Sequence, residues 1–232
     1  MFNFTSLTKL GLHYCNLKGS IPKIAKGNLC KLRTLDLTGN YLSGEITEFF
    51  QALSECSNSS LEELNLGYNQ LIGNIPHSLG NLKRLRELQL DGNAFSGSIP
   101  SSIQNLSRLE IPYLEDNKMN GTIPESIGRL SMLRELHLSG NYWQGIMTET
   151  HFLNLTNLYE FSLSSSSRNL LVFDVTHDWI PLFSLQYVKI LECQLNPTFP
   201  AWLRTQKELT EIHLVNTTIS DTIPNWCWNL SS

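Results

Sequence analysis

The stretch LRELQLDGN at residues 85–93 returns as LRELHLSGN at residues 133–141, displaced by 48 residues. Halfway between them the same frame continues as Leu109, Pro112, Leu114 and Asn117, so the underlying period is 24. The frame Leu-x-x-Leu-x-Leu-x-x-Asn extends in both directions, with registers beginning at Leu7, Leu32, Leu61, Leu85, Leu109, Leu133, Leu158, Leu185 and Leu209. These nine copies follow one another with no linker between them, so residues 1–232 read as one domain.

Side chains alternate across a strand, so each Leu-x-Leu sends both leucines to one face and its intervening residue to the other. A coil of this length cannot bury its own apolar face; neighbouring coils must stack and share a core. After each strand comes Asn-x-Leu-x-Gly-x-Ile-Pro, as at Asn69–Pro76 and Asn93–Pro100, which turns the chain. An asparagine amide both donates and accepts, so stacked asparagines can satisfy backbone groups exposed by the turn. The asparagine position reads Cys15, Asn40, Asn69, Asn93, Asn117, Asn141, Ser166, Cys193 and Thr217, regular in the middle and drifting at the ends.

This spelling and period define the leucine-rich repeat. The predicted fold class is therefore α/β: a right-handed leucine-rich-repeat solenoid, with a parallel β-sheet on the concave face and mostly short 3-10 or irregular segments on the convex side. Two repeats are stretched, Leu32 to Leu61 at 29 residues and Leu158 to Leu185 at 27, and their extra residues are expected in convex or lateral loops. Neither end carries a recognisable cap, so the chain reads as a piece of a longer protein.

Lys plus Arg number 17 against 21 Asp plus Glu, for a formal charge of -4, which argues against a nucleic-acid partner. The six histidines lack metal-ligand spacing, the glycines follow the coil period instead of forming a phosphate loop, and Ser164–Ser167 lack a nucleophile's Gly-x-Ser-x-Gly setting. No catalytic, cofactor-binding or metal residue is therefore expected, and the chain does not read as an enzyme. Of five cysteines, Cys15 and Cys193 occupy the asparagine position and read as structural thiols. Cys30 and Cys56 approach adjacent strands, close enough for a disulfide that would clip the stretched second repeat and contribute roughly 3 kcal/mol. Asn-x-Ser/Thr glycosylation sequons occur at Asn3, Asn58, Asn105, Asn120, Asn154, Asn216 and Asn229; three share one place in the coil, so part of their number is repetition.

What remains for function is the outward side of the strands. One column reads Lys9, Thr34, Glu63, Glu87, Ile111, Glu135, Glu160, Tyr187 and Glu211, and is largely acidic. The next two mix histidine, tyrosine and carboxylates, offering specific hydrogen bonds and aromatic area. The patch Glu87, Gln89, Asp91, Tyr113, Glu115, Asp116 and His137 is the expected ligand contact. A plainer reading of the same columns is a solvated sheet, with Arg86 and Arg134 pairing with glutamates beside them.

The spelling in LIGNIPHSLGNLKRL and MNGTIPESIGRLSML resembles the plant extracellular type of leucine-rich repeat. The stretches GEITEFFQALSECSNSSLEELNLGYN, HFLNLTNLYEFSL, HDWIPLFSLQYVKILECQLNPTFPAWLRTQKELTEIHL and ISDTIPNWCWNLSS further resemble plant receptor-like proteins of the class that includes the ethylene-inducing xylanase receptor. That resemblance implies an ectodomain on the extracellular side of the plasma membrane, in defence or development, that binds a protein or peptide ligand and signals through a receptor-kinase partner or co-receptor. Membrane contact would come only through parts absent from this chain. The alternative is a secreted protein resembling polygalacturonase inhibitors, gripping a microbial cell-wall-degrading enzyme on an acidic concave face. The sequence departs from the pattern where Ile-Thr replaces Ile-Pro after Gly44, at GIM after Gln144, and at Cys227 between two tryptophans.

Overall fold

Each Leu-x-Leu of the frame forms a short strand whose leucine is buried and whose flanking residues face out, as alternation requires. The computed structural model describes residues 6–23, 29–56, 58–167 and 170–229. Among these, nine strands from Lys9–Gly11 to Glu211–Val215 form one parallel sheet in sequence order. Register advances one coil per step: Thr34 pairs with Glu63, Glu63 with Glu87, Glu135 with Glu160, and Glu160 with Tyr187. Leu64, Leu66, Leu88, Leu90, Leu136 and Leu138 stack inside with no exposed surface.

Pro112 replaces the second leucine of its repeat and stays in the core as the partner of Leu88. Proline has no N–H to donate to a ladder. Pairing from its strand to the next is correspondingly reduced to Tyr113 with His137, against three pairs on the other side.

The Asn-x-Leu-x-Gly segments do more than turn the chain. They form a second parallel sheet of six strands, from Lys18–Gly19 to Tyr142–Trp143, and a separate three-stranded sheet built from Gly145–Met147, Leu171–Phe173 and Gln194–Leu195. A constant coil length sets each segment beside its counterpart, where unpaired backbone groups find partners. On the convex side, 3-10 turns follow Pro76, Pro100, Pro124 and Pro200. These turns pack closely: a Cβ on Gly128 would lie 2.5 Å from the Thr150 carbonyl oxygen, so only glycine fits there.

The extra residues of the second repeat form an α-helix, Thr47–Ser54, where a loop was expected; its Phe49, Phe50 and Leu53 enlarge the core. Just beyond it Cys56 is disulfide-bonded to Cys30, with Cα atoms 5.4 Å apart. The stretched seventh repeat contributes aromatic rings to the core. Phe152 sits at their centre, its ring centroid 5.4 Å from Phe161, 5.5 Å from Trp179 and 5.6 Å from Phe183, and Trp202 closes against Trp179.

The asparagine column is corrected in the degenerate repeats. Ser165, one residue before the expected Ser166, is buried and bridges to Asn141, whereas Ser166 is exposed. Thr218, one residue beyond Thr217, bonds Leu195 through its hydroxyl. Cys193 is buried as expected, and burial pushes its thiol up to about 12, but Cys15 is exposed. No helix among the described residues is long and apolar enough to cross a membrane.

Candidate functional site

The nine-stranded sheet sets the outward residues in columns on strands about 4.8 Å apart, so residues 24 to 29 apart in sequence become neighbours. His137 projects from the strand Glu135–His137 at the centre of a polar constellation on this face. Its Nε2 lies 3.1 Å from Glu135 Oε2 and 3.9 Å from Glu160 Oε2, and its Nδ1 lies 3.7 Å from Glu115 Oε2. The Tyr113 ring covers the imidazole at 4.8 Å between centroids, leaving the His137 side chain 13 % exposed.

Glu135 is the anchor of this arrangement. The Tyr113 hydroxyl donates to its Oε2 at 2.9 Å, and the Tyr159 hydroxyl donates to its Oε1. Burial pulls the Glu135 carboxyl up, but the bonds from Tyr159, Tyr113 and His137 outweigh burial and hold it below the usual glutamate range. The bond to Glu135, helped by burial, pushes the Tyr159 hydroxyl up to about 12. Glu115 and Glu160 have no such set of donors. Burial raises both, reinforced for Glu115 by Asp91 and Asp116 and for Glu160 by Glu135, with His137 acting the other way on each.

Beside this cluster the sheet surface dips into an open hollow of about 400 Å³. Glu115, Asp116 and His137 of the expected patch line it, together with Glu160, Tyr187 and Glu211 from the three following coils. Tyr113 stands at its edge through the His137 ring. Glu87 and Gln89 lie apart, bonded to each other at 2.6 Å. Asp91 is 7 % exposed, its carboxylate lying over the neighbouring coil in the space that a side chain at Gly67 would need. Arg86 pairs with Glu110 at 2.7 Å and Arg134 approaches the same carboxylate at 3.9 Å, as the plainer reading anticipates for these two.

Of the expected patch, Glu115, Asp116 and His137 thus share the hollow, while Glu87 and Gln89 lie apart from it. Glu135, Tyr159, Glu160, Tyr187, Lys189 and Glu211 belong to the constellation or the hollow, and all but Tyr159 stand in the columns of the repeat frame. Combining columns with strand register would have found them. Spacing along the chain also hides a group among the described residues that could hold a metal ion: donor atoms of Glu135 and His137, on one strand, and of Glu160, on the next coil, lie within 4.8 Å of one another. Both oxygens of Glu135 already accept hydrogen bonds, so a metal ion would have to displace them.

Of the sequons, Asn58, Asn105, Asn120, Asn154 and Asn216 are exposed; Asn3 and the side chain of Asn229 lie outside the described residues. His151, in contrast, is a core residue: Nδ1 accepts from the Thr148 N–H at 3.1 Å and Nε2 lies 3.1 Å from the Ile123 carbonyl oxygen.

A stack of parallel coils, each with its leucine pair turned inward, defines a leucine-rich-repeat solenoid, and the chain belongs to the leucine-rich repeat region family, whose model matches residues 1–222. Its relatives are plant receptor-like proteins. It is 40 % identical over 87 residues to receptor-like protein EIX2 of Solanum lycopersicum, an alignment covering 38 % of this chain and 8 % of that protein. Receptor-like protein EIX1 of the same plant is 38 % identical over 83 residues, covering 36 % of this chain and 8 % of its own length. The matched segments thus span under a tenth of these relatives. Among solved structures, the ectodomain of the Arabidopsis receptor kinase HAESA with a peptide hormone ligand superposes with a TM-score of 0.77 at 29 % identity, over 92 % of this chain and 34 % of that one. HAESA with its peptide hormone IDA and the co-receptor SERK1 gives a TM-score of 0.68 at 29 % identity, over 97 % of this chain and 32 % of that one.

Proposed function

We propose that this chain is the ligand-recognition segment of a plant cell-surface receptor-like protein, facing the outside of the cell and binding a protein or peptide ligand, or a receptor-kinase co-receptor, through the concave and lateral faces. The observation that carries the reading is the constellation around His137. Five coils contribute hydrogen-bonding and aromatic side chains to one open hollow, which a merely solvated surface does not need. The structural relatives in complex with peptide hormones support the same direction. On this reading glycans sit on the exposed sequons and the membrane anchor belongs to other parts of the protein.

The test is capture of partners from plant cell-surface extracts by the secreted chain, with identification by mass spectrometry. A receptor kinase or peptide that binds the parent but is lost with His137→Ala or Tyr113→Ala, and retained with Arg129→Ala on the convex side, is the expected result. Equal binding by all three variants would remove the concave face from the function. The acidic columns also suit a basic enzyme. Capture of a wall-degrading enzyme alone, with inhibition of its activity, would replace the receptor reading with that of a secreted inhibitor.

A further inference from the structure

Away from the concave face, the corner where the second sheet gives way to the convex turns is grooved. The groove measures about 660 Å³ and crosses four coils, from Thr47 to Pro124. Four coils are three strand spacings, so it runs for about 14 Å. Pro76, Pro100 and Pro124, the stacked prolines of the repeat, are buried or half-buried in it, and Asn74, Ser98 and Thr122 are exposed in its wall. No lysine, arginine, aspartate or glutamate lines it. The Ser96 hydroxyl donates to Asn74 Oδ1 at 2.9 Å, which leaves the Asn74 amide N–H groups without a partner among the described residues.

One sequon opens at the end of this groove. Thr122 is both the hydroxyl residue of Asn120-Gly121-Thr122 and a residue of the groove wall. Asn120 stands on the strand Lys118–Gly121 and is exposed, whereas Met119 before it is buried, so alternation turns the amide outward. Gly121 has a φ of +83°, and a Cβ there would come 3.5 Å from that of Ser98, so the sequon is seated against the groove's next coil. Ile72, which holds the place of Asn120 two coils earlier, is left 45 % exposed on the same face. The other sequons have different surroundings. Asn105 and Asn154 follow directly on Gln104 and Leu153, which line a hollow carrying Glu125 and Arg129, and Asn58 lies beside Arg84.

A sugar ring is uncharged, with C–H faces that pack on apolar rings and hydroxyls at its edge that both donate and accept. Proline rings bordered by hydroxyls and an amide, with no charge among them, match both features. We propose that Asn120 carries an N-linked glycan whose inner sugars lie along this groove, across Pro124, Pro100 and Pro76. The inference rests on the extracellular reading above, because the glycan is added in the secretory pathway. In that step Asn120 Nδ2 displaces the diphosphate of a lipid-linked oligosaccharide. The anomeric C–O bond breaks, a C–N bond forms, one amide proton leaves with the diphosphate, and nothing is oxidised or reduced. The glycan then closes this corner to partners and leaves them the concave face.

The experiment uses the full chain secreted from plant cells whose glycans are held in the high-mannose form, and follows cleavage by endoglycosidase H at each sequon by glycopeptide mass spectrometry. The expected result is that Asn120 is occupied and that its glycan is released from the folded protein about tenfold more slowly than those on the other occupied sequons, with the rates converging on denaturation. Ser98→Glu puts a charge into the groove at an exposed position, and should bring release at Asn120 to within about twofold of the other sites. Circular dichroism melts check that the variant is folded. Asn120 left bare while other sequons are occupied overturns the proposal, as do equal release rates in the folded chain or an unchanged rate in Ser98→Glu. Saturable binding of cellohexaose to the glycosylated chain, abolished by Ser98→Glu, also overturns it, because the groove would then belong to a free oligosaccharide. The two readings fail separately. Protein isolated from its own tissue with no glycan at any sequon defeats the extracellular reading, whereas the release rates on the secreted chain decide whether the glycan occupies the groove.

Discussion

The asparagine after each strand closes the turn by bonding in two directions. Asn117 accepts the Phe95 N–H at 3.0 Å and donates to the carbonyls of Leu90, at 2.9 Å, and Glu115, at 3.0 Å. Asn69, Asn93 and Asn141 repeat the pattern, each reaching back one coil to the carbonyl of the preceding frame leucine. Asn117→Ala strands a donor and an acceptor in the core, and we expect it to cost about 2–4 kcal/mol in denaturant unfolding. An effect under about 0.5 kcal/mol would show that water replaces the amide. The ladder has no asparagine in the seventh repeat to reach back to Leu138, and the Leu138 carbonyl, approached by Asn141 of its own coil at 3.5 Å, accepts in addition the Trp143 indole N–H at 2.6 Å. Trp143→Phe keeps most of the apolar volume but removes that donor, so a thermal melt should register a loss of about 1–3 kcal/mol. A mutant as stable as the parent would remove the indole from this role.

At the scale of elements, the two stretched repeats are accommodated by adding core. The second repeat inserts a helix that buries two phenylalanines, and the seventh inserts a segment that brings Trp179 and Phe183 onto Phe152. The residues around Trp179 and Trp202, which carry much of the resemblance to receptor-like proteins, are thus packing residues. Phe152→Ala should destabilise the chain by about 3–5 kcal/mol, because it empties a site touched by four other rings. Leu153→Ala, next in sequence but 59 % exposed, should stay within about 0.5 kcal/mol. Similar losses from both, measured by urea unfolding, would mean that the aromatic cluster is not a shared core.

Across the whole molecule, coils contact mainly their neighbours, so charge of one sign accumulates along the outward face wherever the columns allow it. Burial, with nearby carboxylates adding, raises Glu115, Glu160 and Glu87 above the ordinary glutamate range. For a raised carboxyl the folded state binds protons more readily than the unfolded state. Stability therefore falls as pH rises from the unfolded value through the folded one, and the charged form is a liability at neutral pH. Glu115→Gln is accordingly expected to raise the melting temperature at pH 7 by about 1–3 °C, with the gain shrinking toward zero below the ordinary glutamate pKa. A lower melting temperature at pH 7 would mean that attraction to His137 outweighs the burial. Glu135 has the opposite sign: its folded value is depressed, and its contribution is lost only as pH falls through that value.

The sequence by itself determined the coil. A 24-residue period, paired leucines and a recurrent asparagine fix the nine strands of the concave sheet, their order, their inward faces and the columns that share the outward face, because coils stacked on one repeated frame admit one register. It also placed Tyr113, Glu115, Asp116 and His137 on the face where the hollow lies. Only the tertiary structure decided how those columns interact. That Asp91 folds over Gly67, that Glu135 is tied down by Tyr113 and Tyr159, and that Glu115 keeps an oxygen without a donor depend on side-chain rotamers and on neighbours 22 to 27 residues away. A period constrains the backbone, where every coil must solve the same hydrogen-bonding problem. The outward side chains face a different set of neighbours at each coil, so their pairings exist only once the coils are stacked.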